Sequence, residues 1–270
     1  MKKVILLLLV LFSVQALVAS DIEKIAELYK QRANKEKLDE CIALCEKILS
    51  KGANREVAVY LAKSYYFKAE GIADNNIRVD LFDKGVKAGE VALNTIERYT
   101  KPISEKQKEE EVLKNLTKED MDALYWTAAN LARYGKYASF TKKLAVKSRV
   151  RYFWDRIMEI DPDYNYGGVY RFFGGYYALV PSITGEQDPV KSKEMFDKGV
   201  ASAPYYLETK VLYAETYCTH AKVKNIELFR QLLNEVLAAD VSAYEDIQPE
   251  NDNAKAKAKD LLSREKELFE

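Results

Sequence analysis

Apolar residues recur along this chain at helical spacing, and no segment alternates as a half-buried strand would. Ile25 and Leu28 mark a first helix; Cys41, Cys45 and Ile48 mark a second that ends at a turn near Ala53. Tyr60-Leu61-Ala62-Lys-Ser-Tyr65-Tyr66 opens the next pair. Its partner is a long helix near Leu81 to Ile96, where Gly85, Ala88, Gly89 and Ala92 form a small-residue stripe open to close helix approach. A charged segment from Tyr99 to Glu119 reads as a solvated linker. The third pair starts at Leu124-Tyr125-Trp126, turns at Gly135-Lys-Tyr137 and ends at Asp161-Pro162. The fourth carries Gly174-Gly175-Tyr176-Tyr177, an enlarged turn from Pro181 to Pro189, then Ser192, Phe196 and Gly199. The fifth joins Tyr213-Ala214-x-x-Tyr217 to Phe229, Leu233 and Val236, and an amphipathic helix from Ala254 to Phe269 would cap the open end.

The spacing fits the tetratricopeptide (TPR) frame, which wants small or apolar residues at its positions 20, 24 and 27 and a turn residue at 32. Cys41, Cys45, Ile48 and Ala53 fall on those places, and Ser192, Phe196, Gly199 and Pro204 repeat them. The predicted fold is therefore all-α, a TPR-like α-solenoid of about five helical hairpins plus a C-terminal capping helix. Such arrays bind more often than they catalyse.

Composition agrees. Gly and Pro number only 11 and 6, and the 42 basic residues match the 42 acidic ones, which argues against a nucleic-acid partner. Lys2 and Lys3 precede an apolar run from Val4 to Phe12, then Val18-Ala19-Ser20. Residues 1–20 read as a signal peptide cleaved after Ser20, leaving 21–270 as one exported, periplasmic domain with no lipid-bearing Cys near the cleavage point. Cys41 and Cys45 lie one helical turn apart on inward positions, where a disulfide would distort the helix; free buried thiols are expected.

Four signatures in order carry a family resemblance: Ala123-Leu-Tyr-Trp126-Thr-Ala-Ala129, Met158-Glu-Ile-Asp161-Pro162-x-Tyr164, Gly167-Gly168 through Phe173-Gly174-Gly175, and Lys193-x-x-Phe196-x-Lys-Gly199. The chain closes on Leu261-Leu262 and Leu268-Phe269. Together they resemble the TatT family, periplasmic TPR proteins associated with TRAP transporters. The resemblance implies an all-helical homotrimer that docks the substrate-binding P subunit. It also implies a cleft for an apolar or organic-acid ligand. Two departures stand: no lipoprotein Cys, and Lys147, Arg149 and Arg151 on the helix leading to Asp161.

In the repeat frame, first-helix positions facing the inner groove are Lys63, Tyr66, Tyr125, Arg133, Arg171 and Gly175, near Ala129, Ala132 and Ala178. Rings could bury the body of an apolar carboxylate while a guanidinium forks onto its head. Trp126 and Phe173 join the candidates, although core packing, or for Trp126 a subunit contact, is the favoured reading over ligand stacking. Asp161-Pro-Asp163-Tyr-Asn165-Tyr-Gly167 departs from a calcium loop in its glycine position and in having Phe172 at the twelfth place, and reads as an inter-repeat turn. The single histidine, His220, and the lack of nucleophile or metal motifs argue against an enzyme, and no cofactor is called for. The expectation is a TRAP-associated accessory subunit; the alternative is a general periplasmic TPR scaffold without a small ligand.

Overall fold

The computed structural model describes residues 20–270; residues 1–19 of the proposed leader lie outside them, and Ser20, its proposed last residue, begins the first helix. Among the described residues 78% are helical and there are no strands, which bears out the all-α expectation. No helix there is long and apolar enough to cross a membrane. The chain divides into two compact units that meet in sequence after Arg156.

The first unit contains α1 (residues 20–30), α2 (Lys35–Leu49), α3 (Arg55–Glu70), α4 (Asn75–Leu93), α5 (Glu97–Ser104), α6 (Glu109–Leu113), α7 (Met121–Tyr137) and most of α8 (Phe140–Ile160). Side-chain caps start α2, α3 and α4. Asn34 Oδ1 accepts from Lys37 N–H and Asn54 Oδ1 from Val57 N–H, both at 3.0 Å, and Asp74 accepts from Asn76 and Ile77. Ile25, Cys41, Cys45, Val57 and Phe82 are fully buried in one core. All three cysteines of the chain are free and buried. Cys41 Sγ lies 3.7 Å from the Ile25 carbonyl and 3.5 Å from Ser64 Oγ.

The small-residue stripe of α4 receives α7. A Cβ on Gly85 would stand 2.0 Å from Asn130 Oδ1, and one on Gly89 would stand 2.2 Å from Thr127 Oγ1. The segment expected to be a solvated linker is folded instead: α5 and α6 bury Tyr99, Val112 and Leu113. Its acidic run is only partly solvated, because Arg149 reaches Glu109 at 2.8 Å and Tyr99 donates to the same carboxylate at 2.7 Å. Gly135-Lys136-Tyr137 is also not a turn. It stays helical, with Gly135 buried, and the chain breaks at Ala138, where the backbone is extended.

The second unit comprises the end of α8, α9 (Tyr164–Leu179), α10 (Pro189–Ser202), α11 (Glu208–Leu212), α12 (Ile226–Ala238), α13 (Gln248–Ser263) and α14 (Glu265–Phe269). Asp188 caps α10 through the N–H groups of Val190 and Lys191, with Pro189 in the first turn. A Cβ on Gly174 would lie 2.8 Å from the Phe196 ring, and Ser192 Oγ donates to the Gly174 carbonyl at 2.7 Å. The helix expected around Tyr213 to Tyr217 is a π-helical turn, Tyr213–Cys218, with Tyr213 stacked on Phe196 at 4.8 Å. The terminal helix starts at Gln248, earlier than its apolar pattern, and breaks at Arg264; Ala254, Ala258 and Leu261 are its buried face.

Candidate functional site

The eight candidate residues divide between the units. Lys63, Tyr66, Tyr125, Trp126 and Arg133 stand together on α3 and α7 of the first. The half-buried Trp126 ring meets Tyr66 edge-on at 5.6 Å and Tyr125 at 5.2 Å. Lys63 Nζ sits 5.6 Å from the same indole and 5.4 Å from the Tyr60 ring, within cation–π range of both. Its ion pair with Asp122 is long, 3.7 Å, and Asp122 is 58% exposed.

Arg133 is held more firmly. Its Nε lies 3.0 Å from the Tyr66 hydroxyl and 3.0 Å from Glu70 Oε1. Both members of the ion pair are nearly buried, at 14% and 11% exposure. Burial pushes the Tyr66 phenol well above its ordinary range, so it remains a neutral hydroxyl beside the guanidinium. A carboxylate entering here would compete with Glu70 for Arg133, whereas Lys63 has only a loose partner to give up. The three rings therefore gather with Lys63 and Arg133 in one cluster, the two cations in unequal states.

Arg171, Phe173 and Gly175 lie on α9 of the second unit. Arg171 is buried, and its guanidinium turns inward. It donates to the carbonyls of Tyr166 and Asn165, the latter at 2.8 Å, and its Cζ lies 4.3 Å from the Tyr206 ring. Those carbonyls belong to three successive residues in the left-handed region: Asn165 (φ 50°), Tyr166 (φ 60°) and Gly167 (φ 67°). Arg171 therefore fixes a backbone turn that Asn and Gly tolerate but Tyr disfavours. Phe173 is buried against Phe172 at 5.1 Å and Tyr177 at 5.8 Å. Gly175 faces open space, since a Cβ there would meet nothing within 4 Å.

Residues around that turn were missed as a site. Asn165 and Gly167 signal a turn, but nothing local shows that its phenol rings gather with those of residues 205 and 206. Tyr166 stacks on Tyr206 at 4.9 Å, and Tyr205 on Tyr244 at 4.1 Å. His220 Nδ1 accepts a hydrogen bond from Lys222 N–H at 3.2 Å, and burial lowers its pKa, so the imidazole is biased towards neutral.

Packed helix pairs, aromatic clusters and buried ion pairs define an all-helical protein over the described residues. The family model for the TRAP transporter T-component matches residues 72–269, and the chain belongs to that family. No curated protein shows significant similarity to it. Membership makes it a component associated with a TRAP transporter, one not known as an enzyme.

Proposed function

We propose that this protein is an exported T component that docks the substrate-binding subunit of its TRAP transporter and lodges an apolar organic acid beside Trp126. In this reading the helix pairs form a TPR-like solenoid over residues 21–270, and the protein works in the periplasm as a homotrimer. Docking rests on one observation above the rest: the enlarged turn between α9 and α10 presents Leu179, Ile183 and Val190 with exposures of 53%, 93% and 78%. Large apolar side chains held out in water favour a protein partner that covers them. For the ligand, the Trp126, Tyr66 and Tyr125 rings supply apolar walls and Lys63 supplies the charge.

The test is co-purification of the tagged protein with the substrate-binding subunit of a TRAP transporter from the same cell, compared with an Ile183→Glu/Val190→Glu variant. A stoichiometric complex that the variant loses supports docking through this turn. Retention by the variant moves docking to another face. No complex with either, while the transporter is expressed, favours the scaffold reading.

A further inference from the structure

One cavity shares no lining residue with the Trp126 cluster or the apolar turn. It has a volume of about 620 Å³ and is lined by Asp163, Tyr164, Asn165, Tyr166, Ser202, Ala203 and Tyr205, all within the second unit. Its size is that of a small-molecule site. Its chemistry is opposite in sign to that of an organic-acid site. No lysine or arginine lines it, and its one charged side chain is the Asp163 carboxylate. Ser202 Oγ donates to Asp163 Oδ1 at 2.7 Å, which orients the carboxylate and leaves acceptor capacity on the other oxygen. Asp163 is itself exposed, so this charge is reachable from solvent.

The carbonyl end of helix α10 reaches the cavity wall at Ser202, but the amide end of α9 starts on the same wall at Tyr164, so the two dipoles offset and the attraction falls to Asp163 and the rings. Three tyrosines line the cavity, and aromatic faces attract cations. Two of the rings are braced from behind: Tyr166 by Tyr206 with the Arg171 guanidinium beyond it, and Tyr205 by Tyr244. The left-handed turn at Asn165, Tyr166 and Gly167, fixed by Arg171, puts part of this wall in place before any ligand arrives.

From these features we infer that the cavity binds a small organic cation, an amine or quaternary ammonium whose charge meets Asp163 and whose carbon skeleton lies against the Tyr164, Tyr166 and Tyr205 rings. This site would be independent of the docking reading and of the organic acid proposed at Trp126.

Isothermal titration of the purified protein tests it, with tetramethylammonium, choline and phenethylammonium as probes and dimethylbutanol, the neutral isostere of choline, as the control. Saturable binding of an ammonium probe is expected, with the isostere weaker by about tenfold or more. Asp163→Asn keeps an acceptor for Ser202 and should weaken the cation about tenfold without shifting the melting temperature. Tyr205→Leu should weaken it as well. Absence of saturable binding by all three cations would overturn the inference. So would equal affinity for the isostere, or binding untouched by both substitutions.

Discussion

Asn130 occupies the volume that a side chain at Gly85 would need. A Cβ at that glycine would come within 2.0 Å of Asn130 Oδ1 and 2.4 Å of its Cγ. The carboxamide is committed on its other side, where Nδ2 donates to the Trp126 carbonyl at 2.8 Å and the Ala62 carbonyl at 3.2 Å. One side chain on α7 thus ties α3 to α7 and fills the gap in α4.

Gly85→Ala should therefore destabilise the fold by roughly 2 kcal/mol, because overpacking outweighs the ~1 kcal/mol that alanine gains in a helix. Asn130→Ala alone should cost about 1–3 kcal/mol through the two lost side-chain hydrogen bonds and the space left in the core. The double variant should lose clearly less than the sum, since removing the carboxamide vacates the space that the new methyl takes. Urea unfolding of the four proteins measures the coupling; strict additivity would sink the account.

The adjacent glycines 174 and 175 make a second contrast. Gly174→Ala drives a methyl against the Phe196 ring at 2.8 Å and should lower stability by about 1–3 kcal/mol. Gly175→Ala meets no atom within 4 Å and should raise it by about 0.5–1 kcal/mol. Thermal melts of opposite sign for neighbouring identical substitutions are the expected result.

That pair also shows how far the sequence could be read. Helical period and small-residue stripes revealed the helix pairs and the close approach along Gly85 and Gly89. They could not say which glycine of a Gly-Gly pair is crowded, because that depends on Phe196 more than twenty positions away. The segment 99–119 was misread because its charges mask a sparse apolar set, Tyr99, Val112, Leu113 and Leu116, all buried. The turn over Asp161 to Gly167 was legible, but its left-handed backbone was not, for another reason. Tyr166 has no preference for such a backbone, and the residue that holds it there, Arg171, looked from the repeat frame like a groove cation. Of the eight candidates, the five on α3 and α7 do form a cluster, since those two helices pack against each other.

Cys218 gives a pH test. Its thiol is fully buried, and burial pushes its pKa up to about 12 from the ordinary value of 9.0. The folded state therefore keeps this proton while the unfolded chain loses it. The stabilisation is complete below the unfolded value, and it is lost as pH rises from about 9 towards 12, at about 1.4 kcal/mol per unit. Removing the thiol removes that dependence. Unfolding free energies of the parent should fall more steeply over this window than those of Cys218→Ala, by about that slope. Equal slopes would mean that the thiol ionises as readily in the folded protein.

Lys63 and Arg133 separate binding from stability at the Trp126 cluster. The nearly buried Arg133–Glu70 pair means that Arg133→Ala strands a carboxylate, at a cost of about 3 kcal/mol or more. Lys63 has a long contact with the exposed Asp122 and loose cation–π contacts with Tyr60 and Trp126, so Lys63→Ala should change stability by no more than about 1 kcal/mol. An organic acid whose head meets Lys63 should nonetheless bind about tenfold more weakly to that variant. The chain's two tryptophans include Trp154, so a Trp154→Phe background leaves Trp126 as the single indole reporter. Titrating a medium-chain carboxylate into this background should change the indole emission saturably, with the midpoint moved by Lys63→Ala and the melting temperature held. If the midpoint stays fixed while emission still responds, the acid meets Trp126 without Lys63, and the head-group assignment passes to Arg133 in competition with Glu70.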